Sequence, residues 1–402
     1  MKRCMILTLL LACGVPASAQ SPEVWRKLRS RYDVVYPYVD DGTIMVNRGG
    51  QRIAIGVGPN GRYGYVDTLG QVLIPPTYDY ATRFHNGFAV VGNAGAQGAI
   101  DRTGRVVVPC EWLRLGRFEA GVFVGEREVG GVPRFSLVDT AGRATPLDCD
   151  FCAREFSCGY ARVGVGSYAV GDTPLPAGMN AGMKKMQSKK FSGKYGYIAP
   201  DGRVVIPVQF DDALDFDEDG LARVGMQGKY YVKWGFIDRS GRTVIPCSYY
   251  SADVFRRGRA LVGKVVAGGK LAFGYIDREG REVIPCQYDE ATAFKHPNTW
   301  VGRNRDGEMA YSLIDRQGNS VLEYEVYRLQ DGGKYGHAVA ARPDASGVLR
   351  FGIIGISGKI LVPFEYDMIT IFTDLDPETG QPQARALAVQ NGVEYPVTLS
   401  RL

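Results

Sequence analysis

Short apolar runs alternate with turn-forming clusters along this chain, and the stretch YVKWGFIDRSGRTVIPCSYYSADVFRRGRALV, Tyr231 to Val262, shows the pattern in full. Trp234, Phe236 and Ile237 are aromatic or β-branched and favour a strand. Asp238-Arg239-Ser240-Gly241 is a turn signal, because Asp caps its own backbone and Gly tolerates positive φ. Thr243-Val244-Ile245 resumes the strand, and Pro246 ends it by withdrawing a ladder donor. The first half is therefore expected to be a β-hairpin with a short Gly loop. An irregular corner with Tyr249, Tyr250, Phe255 and Gly258 follows, then a third strand at Ala260-Leu261-Val262. Gly235, lying between two aromatics, has two readings: close approach of another backbone or ring, or a β-bulge.

The same succession returns in LAFGYIDREGREVIPCQYDEATAFKHPNTWV, Leu271 to Val301. A central Gly or Ser falls at 64, 98, 136, 196, 235, 274, 312 and 352, giving spacings of 34 to 40 residues apart from one of 60. The long gap holds an insertion, about residues 166–192, whose Pro174, Pro176, glycines and lysines predict a loop. One such unit cannot bury its apolar face alone, whereas stacked units can. The expectation is an all-β tandem array of about eight three-stranded units over residues 32–402. An open curved β-solenoid comes first, because repeat chains need no closure. A closed propeller-like ring is the alternative, since a leading late strand at Thr43 to Val46 and a trailing early strand at Tyr395 to Leu399 could join in one mixed unit. Residues 20–31 read as a brief helix or a lead-in arm.

Residues 1–19 read as a signal peptide: Lys2 and Arg3, an apolar run from Met5 to Ala12, and the small-residue site Ala17-Ser18-Ala19. Export to the periplasm, cell surface or medium follows. Leu10-Leu11-Ala12-Cys13 also matches a lipoprotein box, so membrane contact is expected only through lipidation at Cys13. The formal charge is +5, or +3 without Lys2 and Arg3, too small and too evenly spread for nucleic acid.

Candidate chemistry is sparse. Cys110, Cys247 and Cys286 share one register after the strand-ending Pro and read as small buried hydrophobes. Cys149, Cys152 and Cys158 cluster in a worn repeat, where a local disulfide competes with free thiols. A zinc site lacks a nearby His. A column of Asp at 67, 101, 139, 238, 277 and 315 could be taken for calcium ligands, but each precedes a Gly-ended turn and reads as a cap. His85, His296 and His337 lie far apart in different registers. The acidic run Asp215, Asp217, Glu218 and Asp219 reads as a solvated loop. Lys184, Lys185, Lys189 and Lys190 are the ligand-binding candidates, suited to something acidic. Rings at Tyr78, Trp112, Phe210, Tyr249, Tyr288 and Tyr366 either form the inter-repeat core or line a face that stacks on sugars. No catalytic motif, metal site or cofactor site is read.

Lys233-Trp234-Gly235-Phe236-Ile237-Asp238, Gly241, Val244-Ile245-Pro246 and the later Tyr-Asp, Phe, Gly and Ala-x-Val steps resemble the WG-repeat family, over about residues 32 to 399. Only this copy has Trp before Gly. The resemblance implies a bacterial, often exported β-repeat protein with no enzymatic activity attached to the repeat. The functional expectation is a non-catalytic binding or scaffold protein of the bacterial envelope or surface, its partner a protein or glycan. The alternatives are a carbohydrate-binding repeat protein, or an enzyme or inhibitor with its site in the 166–192 insertion.

Overall fold

In a computed structural model of the chain, residues 15–16, 22–40, 42–49, 61–172, 187–330, 336–375 and 382–398 are described. Apart from Pro22–Arg31, an α-helix, and a single 3-10 turn, the regular elements among the described residues are strands gathered into nine small antiparallel sheets. The leader expected at 1–19, with its cleavage site and Cys13, lies outside the described residues except for Val15–Pro16, and no described helix is long and apolar enough to cross a membrane. Contacts divide the chain into two compact units. One holds the chain up to Gly193 with Tyr197–Val204; the other holds Lys194–Gly196, Val205–Leu375 and the residues from Pro382 on.

The sequence repeat and the sheet are out of phase. Strand Val232–Asp238 pairs with Leu221–Gln227 of the preceding repeat on one side and with its own hairpin partner Thr243–Tyr249 on the other. The third strand of that repeat, Ala260–Val265, pairs with Leu271–Ile276 of the next. Each repeat therefore supplies strands to two neighbouring sheets. A further two-residue strand at the corner, Ser251–Ala252, pairs with Ala260–Val265 and brings most sheets to four strands rather than three. Two residues are too few to carry an alternation, so the sequence does not announce this strand.

The two readings of Gly235 turn out to be one event. Trp234 faces Tyr249 and Phe236 faces Ile245, so the three residues 246–248 stand opposite Gly235 alone. This bulge at Pro246 drives the partner backbone over the glycine, and a Cβ there would collide with the Ile245 carbonyl oxygen. The register shifts likewise beside Gly64, Gly98, Gly274 and Gly352. Each of the six central glycines is followed by a seven-residue strand of the same kind. Where Ser136 takes the position, the partner shrinks to Ala144–Pro146 in straight register. At Ser312 only isolated bridges remain among the described residues. The bulge needs the missing side chain.

Neighbouring sheets are joined at a second recurring point, the Asp of the Tyr-Asp step. Asp211 follows Phe210 at the end of one sheet, its Oδ2 accepts the Gln227 N–H of the next at 2.8 Å, and Lys194 Nζ donates to its Oδ1 at 2.6 Å. Asp79, Asp289 and Asp367 repeat the arrangement with Arg62, Lys270 and Arg350, accepting from Ala94, Asn304 and Asn391. Apolar contact fills the space between sheets. Phe255 of the corner packs on Phe236 with centroids 4.9 Å apart, and Phe294 on Tyr275 at 4.8 Å, pairs that contribute about 0.5–1.5 kcal/mol each beyond their buried area.

The two ends of the stretch expected as a loop at 166–192 are strand, while residues 173–186 lie outside the described residues. Strands Ala161–Asp172 and Gln187–Ile198 are neighbours in their sheet and carry the backbone well into that stretch. Phe191 packs on Tyr168 and Phe151 at the base of the arm, at 5.3 and 5.4 Å. At the N-terminal side, helix Pro22–Arg31 sets Trp25 and Leu28 against Ile44, Val46 and Val66.

Candidate functional site

The corner segments are where the repeats differ in chemistry. Each corner is pinned by a buried or half-buried Phe, at 84, 118, 156, 216, 255 or 294, which satisfies the core whatever stands beside it. The residue before that Phe is Arg83, Arg117, Glu155, Asp215, Val254 or Ala293; the residue after is His85, Glu119, Ser157, Asp217, Arg256 or Lys295. A tight turn then returns the chain, with His85 and Phe88 exchanging backbone hydrogen bonds of 2.8 and 3.1 Å.

Three successive corners of the first unit line one cleft of about 620 Å³. Arg117 is committed to its neighbour: Nε and Nη2 donate to the two carboxylate oxygens of Glu155 at 2.8 and 2.5 Å. That bond raises the Arg117 pKa above its already high ordinary value. His85 Nε2 lies 2.7 Å from Glu119 Oε2. Arg114 and Arg154 behave differently. Both place Nε 3.9 Å from the same oxygen, Glu126 Oε2, beyond hydrogen-bond reach. Their side chains are about half exposed, 51% and 55%, while Glu126 is 16% exposed. The close approach is set by Gly116, where a Cβ would run into the Arg154 carbonyl oxygen. Tyr36, Tyr80 and Phe84 supply an aromatic wall. The Thr82 hydroxyl is taken up by the Val90 backbone at 3.0 and 3.4 Å. The arrangement gathers fixed positive charge and N–H donors on a rigid support, which suits holding a carboxylate or phosphate group.

The residues singled out from sequence fall elsewhere. Lys184 and Lys185 lie outside the described residues, and Lys189 and Lys190 fall within strand Gln187–Ile198. The structure joins none of Cys149, Cys152 and Cys158 by a disulfide. Cys149 and Cys152 are buried, and a hydrogen bond from Cys149 with burial pushes the Cys152 thiol up. Cys110, Cys247 and Cys286 are half-buried, each Sγ 3.5–3.9 Å from a carbonyl oxygen of the strand two places away in the same sheet. Burial pushes Cys286 up to about 11. The column Asp residues cap their turns: Asp238 Oδ1 accepts the N–H groups of Ser240 and Arg242 at 2.9 and 3.1 Å. Among the described residues no three His, Cys, Asp or Glu side chains gather where a metal could bind. Trp112, Phe210, Tyr249 and Tyr288 are buried, and Tyr78 and Tyr366 half-buried. Arg127, Lys264 and Arg303 cover the rings of Trp112, Tyr249 and Tyr288 at 4.1, 5.1 and 4.8 Å. These rings are core, with cations over them, and do not form an exposed ladder. The arginine cleft was missed because its members come from three repeats; comparing the residues that flank each corner Phe finds Arg83 and Arg117, whereas Arg114 and Arg154 stand further from Phe118 and Phe156 and share no repeat position.

Among solved structures, the chain is similar to dipeptidyl peptidase 4 of Porphyromonas gingivalis, at 10% identity and TM-score 0.38, covering 86% of this chain and 56% of that one. It is also similar to prolyl oligopeptidase B of Galerina marginata, at 11% identity and TM-score 0.30, covering 78% and 55%. The chain thus spans little more than half the length of either. No curated protein matches. Residues 63–95, 195–230, 234–264, 273–302 and 351–374 match the WG containing repeat, each match beginning in or beside the first strand of a unit and running into the next sheet, and the chain is a β-repeat protein carrying WG repeats.

Proposed function

We propose that this is a non-catalytic binding or scaffold protein of the bacterial envelope or cell surface, exported by its first 19 residues, that holds an acidic segment of a protein partner in the arginine cleft. One observation carries the reading: Arg114 and Arg154 share a single carboxylate at 3.9 Å while remaining half exposed. A partner carboxylate entering between them gains charge-assisted hydrogen bonds that Glu126 does not make, each contributing about 1.5–3 kcal/mol. The core role of the recurring rings weighs against a sugar-stacking ladder.

The test is binding of a labelled Asp/Glu-rich peptide and a uronic-acid oligosaccharide to the full chain, followed by fluorescence anisotropy. The peptide is expected to bind with an affinity that weakens as salt rises. The double variant Arg114→Gln, Arg154→Gln is expected to weaken it by about ten- to a hundredfold for each such bond lost. Peptide binding that ignores the double variant sinks the cleft. Binding of the oligosaccharide alone moves the assignment to the carbohydrate reading. Peptide binding lost only on deletion of residues 173–186 places the site in the insertion instead.

A further inference from the structure

Two of the chain's three histidines meet in the second unit although they come from different repeats. His296 follows the corner Phe294, and His337 opens strand His337–Pro343. Both line a cavity of about 260 Å³ with Asp253, Lys295 and Asn298. Backbone links bring them together. Asn298 Nδ2 donates to the Ile356 carbonyl oxygen at 2.8 Å, and the Ile356 N–H donates to the Gly336 carbonyl oxygen at 2.7 Å. The Cε1 atom of His296 lies 3.7 Å from where a Cβ of Gly336 would stand, one residue before His337.

The charges around the pair are few and mostly positive. Lys295 is exposed at the rim, and Arg257 Nε donates to its carbonyl oxygen at 3.3 Å. Asp253 is the one carboxylate among the described lining residues, and it faces Arg223, whose largely buried side chain lies 3.8 Å away. The hydroxyls of Thr292 and Thr299 are engaged with each other at 2.9 Å and with the carbonyl oxygens of Trp300 and Thr292. The cavity is smaller than the ~300–1,000 Å³ of sites for drug-sized ligands; it has room for a single small group. Histidine gains a positive charge and a second N–H donor between about pH 8 and 5.

We propose that this cavity is a small-anion site, for a carboxylate or phosphate-like group, that engages when His296 and His337 take up protons. It is a different site from the arginine cleft and stands whether or not that cleft binds a partner.

The full chain labelled at histidine Cε1 gives one NMR signal from each histidine, assigned through Gln variants. It is titrated with sulfate and with formate, which both keep their charge between about pH 5.5 and 7.5. The His296 and His337 signals are expected to shift together and saturably, and to do so equally in the Arg114→Gln, Arg154→Gln variant, in which the arginine cleft beside His85 has lost those two cations. Affinity is expected to be at least about tenfold tighter at about pH 5.5 than at about pH 7.5, because binding that requires a protonated imidazole strengthens as pH falls through the histidine range. A response to sulfate assigns a phosphate-like group and one to formate a carboxylate. Half-buried His296→Gln should leave the fold intact and abolish the shift at His337, which keeps the test decisive if His337→Gln unfolds. Shifts at His296 and His337 that do not saturate, that vanish in the arginine-cleft variant, or that are equal at both pH values overturn the proposal.

Discussion

Gly235→Ala is expected to destabilise the protein by about 3 kcal/mol, at the upper end for overpacking. The new Cβ meets backbone, not a side chain that could swing away: besides the Ile245 carbonyl, Cys247 N and the Pro246 carbonyl carbon lie 2.7 Å off. Relief requires flattening the bulge, which shifts Thr243–Tyr249 in register and pulls buried Ile245 and Tyr249 from their places. Ala is otherwise the less costly strand residue, so propensity cannot produce a loss. Ser136→Ala makes the control. It occupies the same column beside a straight partner strand and is expected to change stability by less than about 0.5 kcal/mol. Thermal and denaturant unfolding of both variants measure the difference, and equal stabilities would refute the bulge account.

Acid is expected to unfold the chain over a narrow range. Several carboxylates sit below the ordinary Asp value because the folded chain donates to them. Thr103 does so for Asp101, Arg143 for Asp139, Ser240 for Asp238 and Lys194 for Asp211. Asp344, bonded by Ser346, is held at about 2. A depressed carboxylate stabilises fully above its unfolded value, near ~3.9. That contribution is lost as pH falls through the folded values toward about 2. Asp217 works in the opposite sense, since burial raises it, and its protonation relieves a penalty as pH falls. The depressed group is larger, so the melting temperature should stay level from about pH 7 to 5 and drop steeply between about 4 and 2. Asp238→Asn keeps an acceptor for the Ser240 and Arg242 N–H groups and should flatten part of that drop. A melting temperature that falls already near pH 6, or holds to pH 2, contradicts the assignment of these turns as carboxylate caps.

Much of the fold was legible because it rests on local chemistry repeated many times. Asp-x-x-Gly turns, the strand-ending Pro and the aromatic-Gly-aromatic step each fix a few residues, and the structure places them as the spacing of Gly64 to Gly352 implies. The phase between repeat and sheet was not legible. Nothing in Ala260-Leu261-Val262 says whether it pairs with the hairpin before it or the one after, since both offer strands of equal apolarity. Composition hides the strands at the two ends of the 166–192 stretch: Val163, Tyr168 and Phe191 favour strand, while the glycines and lysines around them read as loop. The clefts were invisible for a third reason. Arg114 with Arg154, and His296 with His337, become neighbours only through stacking of successive corners, and charge at a corner looks in sequence like any solvated turn.

The claim beneath the whole account is that each sequence repeat is divided between two sheets. Cross-strand nuclear Overhauser contacts from the Ala260–Val265 backbone test it directly in selectively labelled protein. They are predicted to run to Leu271–Ile276, with Val262 opposite Gly274. Contacts from Ala260–Val265 to Val232–Asp238, within a single repeat, would contradict it.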